Sequence, residues 1–173
     1  MVSVFERPRG AVTRGGAALV RSWLRLPSAL RALAPLAIMA LLWWSSSRSP
    51  TSREPNVARA LAYNAMHVVA YGALAAACLL ARSRRGATAW RRGHGVFAVA
   101  VAVGYGVVDE LHQSFVPGRT CSVADVMTDT AGAILVVLVL RPWCGGPHAS
   151  VRALVWTVVA CLVCVAFATW GPW

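Results

Sequence analysis

Lysine is absent from this chain, and only six of its 173 residues are acidic. Charged residues make up 13% of it against 58% hydrophobic ones, with a mean hydropathy of +0.59. So little charge cannot give a soluble domain of this length a polar surface, and the composition points to a membrane. The missing lysine reads as codon usage and carries no functional weight. Also missing are a Gly-x-Ser-x-Gly elbow, a Walker phosphate loop and a dinucleotide fingerprint, so neither ATP nor NAD dependence is expected and no cofactor is assigned. Of Cys78, Cys121, Cys144, Cys161 and Cys164, only Cys121 falls in a predicted outer loop, which argues against a disulfide framework. Cys161 and Cys164 have C-x-x-C spacing but sit inside an apolar run, where they read as small packing residues.

What is present is a set of apolar windows separated by arginines. A span needs roughly 20 apolar residues to cross a hydrocarbon core of about 30 Å. The windows predict an all-α, multi-pass transmembrane bundle of about five spans, near 32–47, 60–81, 93–115, 123–140 and 153–172. The third and fourth reach full length only by taking in Asp109-Glu110 and Asp125 with Asp129, so their acid-bearing ends meet at one membrane face. Arg31 bounds the short first window and is expected to snorkel to the interface. Residues 1–29 are basic and broken by Pro8 and Pro27, with no clear cleavage site, and read as a flexible cytoplasmic tail before a membrane domain of residues 30–173.

Arginines cluster before the first span, in the loop after the second (Arg82, Arg84, Arg85, Arg91, Arg92) and after the fourth (Arg141, Arg152). By the positive-inside rule these segments are cytoplasmic, which puts the amino terminus inside and the acidic loop outside. The net charge of +11 is therefore read as topology and lipid contact rather than as a nucleic-acid footprint. The partner expected is the bilayer, with a homo-oligomer open.

Four of the six acids, Asp109, Glu110, Asp125 and Asp129, fall within the short stretch between the third and fourth apolar runs. Ionisable groups at the edge of hydrocarbon cost roughly 2.5–3.5 kcal/mol each on insertion scales, so such a cluster marks a functional surface or a paired network. The order Asp109-Glu110-x-His112-Gln113-x-Phe115-x-Pro117-Gly118-Arg119, then Asp125, Asp129 and Gly132, with His67 and Tyr71 four residues apart upstream, closely resembles the signature of the VanZ-like family of bacterial membrane proteins. The resemblance covers about residues 60–141. It implies a multi-pass plasma-membrane protein with a four-helix core, here with an extra helix, from a family named for an association with teicoplanin resistance. It implies no established reaction. The chain departs from the family pattern at Asp129, where Asn is frequent, and at Tyr63-Asn64, where an Asp-Lys pair is frequent.

The residues also admit a direct reading. His67 and Tyr71 share one helix face, as do Asp109 with Gln113, Glu110 with Gln113, and Asp125 with Asp129 and Gly132. Only part of the Asp109–Gln113 segment can point inward, and Glu110, Gln113 and Arg119 are the choices. Pro117-Gly118 predicts a reversal that carries Arg119 back over the bundle mouth. Ser122 resembles a capping residue for the fourth span, and Gly132 allows close helix approach.

Two uses of this constellation remain open. It can be a lock, with Arg119 paired to Glu110 or Asp125 and His67 bonded within the network. It can equally be a site, with His67, Glu110 and Asp125 as catalytic candidates and Tyr71, Asp109, His112, Gln113, Arg119 and Asp129 binding a ligand. His67, His112, Glu110, Asp125 and Asp129 are ligand types suited to Zn or Mn, but their spacing matches no compact metal motif and no His-Glu-x-x-His is present, so no metal is expected. The function expected is an accessory role in the bacterial envelope, in resistance to glycopeptide or other envelope-directed antibiotics. A membrane enzyme acting on a lipid-linked precursor, or a small transporter, stands as the alternative.

Overall fold

In hydrocarbon a backbone must satisfy its own hydrogen bonds, so charge-poor windows of this length form helices. The computed structural model describes residues 11–49, 56–83 and 90–171. Among these the elements are α1 (Ala11–Trp23), α2 (Ser28–Ser46), α3 (Val57–Arg82), α4 (Arg92–Gln113), α5 (Val123–Leu140), a 3₁₀ turn (Arg141–Cys144) and α6 (Val151–Trp170). There is no strand among the described residues, and five helices are long and apolar enough to cross a membrane. The chain is thus an all-helical, multi-pass membrane protein.

Local chemistry sets the helix starts. Asn56 Oδ1 accepts the Arg59 N–H at 3.0 Å, Ser122 Oγ that of Asp125 at 3.4 Å and Ser150 Oγ that of Ala153 at 3.1 Å. The predicted reversal between α4 and α5 is a turn in which the Arg119 N–H donates to the Val116 carbonyl. Pro117 holds its first inner corner, and Gly118 takes a φ of 82° at the second, a left-handed value suited to glycine.

Two expectations for the amino-terminal part change. Residues 11–23, read as flexible tail, form a helix in which Val20 is buried, as is Leu24 just past its end, with Gly16 seated against the Trp143 ring of the 3₁₀ turn. Residues 1–10 of that tail lie outside the described residues. Arg31, expected to snorkel to the interface, has protein partners at a helix end. It lies inside α2, 8% exposed, and its guanidinium donates to the carbonyls of Leu80 at 3.0 Å and Ser83 at 2.5 Å, at the end of α3. Those carbonyls are the ones a helix terminus leaves without partners, and a cation there also suits the helix dipole.

Helix α3 is central and touches α2, α4, α5 and α6. Its Tyr71, Leu74, Ala75 and Leu79 pack with Ala98 and Ala102 of α4 and Ala133 and Val137 of α5. Small residues let the backbones meet. A Cβ on Gly132 would collide with the main chain of Val68, and one on Gly72 would stand 2.9 Å from Val136 Cγ2. Large apolar side chains such as Leu36, Leu41, Trp156 and Leu162 point outward, as a lipid-facing surface requires. Because α3 crosses α5 at Val68 and Gly132, His67, one residue before Val68, and Asp129, three before Gly132, are brought face to face.

Candidate functional site

His67 joins the α3 and α5 sides of a polar cluster. Its Nδ1 lies 2.9 Å from Asp129 Oδ1 and its Nε2 lies 4.0 Å from Asp125 Oδ2, so the i and i+4 carboxylates of α5 address opposite nitrogens of one ring. A carboxylate accepts, so Nδ1–H donates to Asp129 and leaves Nε2 toward Asp125. Tyr71, one turn further along α3, stacks nearly parallel on His67 at 6.0 Å between centroids.

The far wall comes from the end of α4. Asp109, Glu110 and Gln113 are all buried there, while Leu111 between them faces outward. Gln113 Nε2 donates to Asp109 Oδ2 at 3.0 Å and, longer, to Glu110 Oε1 at 3.3 Å. Asp109 Oδ1 accepts the Ser46 hydroxyl of α2 at 2.6 Å. Glu110 Oε2 accepts the Ser122 N–H at 2.7 Å. That bond completes a capping box in an unusual way, since the acid reaching back to the cap's own N–H belongs to a neighbouring helix.

One buried carboxylate oxygen in this cluster, Asp129 Oδ2, has no hydrogen-bond partner, while the Tyr71 hydroxyl faces the Asp109 carboxylate. Asp129 is fully buried and Tyr71 is 1% exposed. Gly106, one turn before Glu110 on α4, makes the room for the aspartate: a Cβ there would stand 2.7 Å from Asp129 Oδ2. An unsatisfied buried polar atom costs about 1–3 kcal/mol. The arrangement therefore concentrates four carboxylates, one imidazole and one phenol in a low-dielectric end of the bundle.

Positive charge is scarce around them. Arg119, expected to pair with Glu110 or Asp125, donates to the main-chain carbonyls of Arg48 at 3.1 Å and Ser45 at 3.3 Å and lies over the Tyr63 ring at 5.6 Å, and its charge acts on Asp125 without an ion-pair contact. Among the described residues, the ion pairs of these carboxylates run to His67 alone. His112 is apart from the cluster. It stacks on Trp43 of α2 at 3.8 Å and meets the Ser47 hydroxyl at 2.9 Å. The structure thus gathers His67, Tyr71, Asp109, Glu110, Gln113, Asp125 and Asp129, sets Arg119 at the rim beside Asp125, and leaves out His112.

Ser46 and Gly106 belong to the cluster and were not read from the sequence. Gly106 had a signal, lying three and four residues before Asp109 and Glu110 on the same face. Ser46 had only its polarity at the end of an apolar run. The donors His67, Glu110 and Asp125 come from three helices and offer atoms all within 4.8 Å of one another, a grouping that linear spacing cannot display.

Fold and site together define a polytopic helical membrane protein with an ionisable cluster enclosed at one end of its bundle. No characterised protein and no solved structure matches it at a significant level. The chain belongs to the VanZ/LLP1 family, whose profile matches residues 20–144. That match extends the resemblance backward through α2 and leaves α6 beyond its end.

Proposed function

We propose that this protein acts in the bacterial cell envelope as a membrane-embedded accessory protein, that teicoplanin-type glycopeptide resistance is its expected phenotype, and that the His67, Glu110, Asp125 and Asp129 cluster engages the envelope ligand. Family membership supports the setting. The observation that carries the site is the buried, partnerless Asp129 Oδ2. A network serving only to lock helices together gains nothing from atoms left unsatisfied, whereas a binding site keeps such atoms for its ligand. The arginine distribution supports an orientation with the amino terminus in the cytoplasm and the cluster toward the outer face.

The test is teicoplanin susceptibility in a sensitive host expressing the wild-type chain or His67→Ala, Glu110→Gln or Asp125→Asn, with membrane abundance measured in parallel. The exposed His148→Ala serves as control. The expected result is protection by the wild type and the control, and its loss at unchanged abundance in the cluster variants. Full protection by the cluster variants would separate the phenotype from the cluster. No protection by the wild type would overturn the envelope-resistance reading itself.

A further inference from the structure

The geometry points to a divalent transition-metal site, of the zinc or manganese class, held by His67 Nε2, Glu110 and Asp125, with Asp129 as the group that orients the histidine. It concerns the cluster invoked above but does not depend on its phenotype, because metal is read on purified protein and susceptibility in cells, and either can fail alone.

The first support is the set of donors and their spacing. One imidazole and two carboxylates present ligand atoms within 4.8 Å of one another, and Nε2 stands 4.0 Å from Asp125 Oδ2. Three ligands at about 2.0–2.2 Å from one such ion in a tetrahedral arrangement stand about 3.3–3.6 Å apart, so the carboxylates must rotate inward by up to about 1 Å to close the set. Imidazole with carboxylate suits zinc and manganese, whereas magnesium and calcium favour oxygen donors alone.

The second support is the shell behind the donors. Metal-binding histidines characteristically donate their other ring N–H to a carboxylate, which fixes the tautomer and aims the lone pair. Asp129 Oδ1 does this for His67 at 2.9 Å. Glu110 is steadied in the same manner by the Ser122 N–H at 2.7 Å.

The third support is charge. Asp109, Glu110, Asp125 and Asp129 have a single basic group, His67, among their ion pairs in the described residues, and Arg119, its guanidinium engaged by carbonyls, acts on Asp125 only beyond ion-pair distance. Buried charges persist when they are paired or coordinate a metal. The partnerless Asp129 Oδ2, on a fully buried side chain, shows that the protein alone does not complete this network. A dication would supply the missing counter-charge, and water would fill its remaining positions.

The experiment uses the full chain purified in detergent behind a tag without histidine, stripped with chelator and titrated with Zn²⁺ and Mn²⁺, with Mg²⁺ and Ca²⁺ for contrast. Bound metal is read by elemental analysis and affinity by calorimetry. One equivalent of Zn²⁺ or Mn²⁺ per chain is expected. Affinity should fall at least about tenfold in His67→Ala, Glu110→Gln and Asp125→Asn, and by about 10–100-fold in Asp129→Asn, the range for an orienting group. It should stay at the wild-type value in His112→Ala. No equivalent bound, or binding unchanged in the His67, Glu110 and Asp125 variants, overturns the site. If those variants fail to fold, electron paramagnetic resonance of Mn²⁺ on the wild-type chain decides: nitrogen coupling from an imidazole upholds the site, and its absence rejects it.

Discussion

Gly132 of α5 lies directly on the main chain of Val68 in α3, with no room for a methyl group between them. The contact sits one residue past His67 and less than one turn past Asp129, so it sets the distance across the polar cluster as well as the packing beneath it. Helix spacing and site geometry are one quantity here.

Replacing that glycine should therefore separate the two helices. Gly132→Ala is expected to cost about 1–3 kcal/mol, the range for overpacking a close contact. Gly104→Ala, where a Cβ would meet nothing within 4 Å, is the matched control and should be neutral or slightly stabilising. Unfolding of both variants in mixed detergent reads the difference, and equal stability would refute the contact.

Arg31 should matter for stability although it stands far along the bundle from the cluster. Arg31→Ala removes the donor to the Leu80 and Ser83 carbonyls and is expected to cost about 1.5–3 kcal/mol, the range for hydrogen bonds made by a charged group. Arg31→Lys keeps the charge but loses the planar fork and should fall between the two. Thermal aggregation in detergent measures the series, and an Arg31→Ala protein as stable as wild type would show the cap to be idle.

Orientation can be read from one native thiol. Cys121 is exposed in the loop before α5, whereas Cys78, Cys144 and Cys161 are buried and Cys164 is half-buried. With the proposed orientation, a membrane-impermeant maleimide should label wild-type protein on intact cells, and Cys121→Ser should abolish that labelling. Labelling only in inverted vesicles would reverse the assigned topology.

Much of the bundle was readable from the linear sequence because each governing cue was local. Arginines bound the windows, Pro117-Gly118 made the turn, Ser122 made the cap, and the need for length drew the acids into α4 and α5. The choice of Glu110 and Gln113 as inward residues followed from helical spacing and agrees with their burial. What depended on a helix's rotation against its neighbours was not readable. His112 shares its segment with the cluster but turns toward Trp43, and Arg119 found carbonyls instead of carboxylates. Likewise the helix over Ala11–Trp23 was obscured by its arginines and glycines, and its contact with Trp143 comes from far along the chain. Polarity at a position announces that a partner is needed, but not which surface supplies it.

Helix α2 is fastened partly from outside. Tyr105 donates to the Met39 carbonyl and Arg119 to that of Ser45, so two of its attachments fall on main-chain oxygens that every residue type carries. Those two docking instructions are written in the side chains of its neighbours, beside the ones that its own Arg31, Trp43 and Ser46 carry. Outward letters such as Leu36 and Leu41 are spared that duty, while Ile38, Met39 and Leu42 keep theirs against the core.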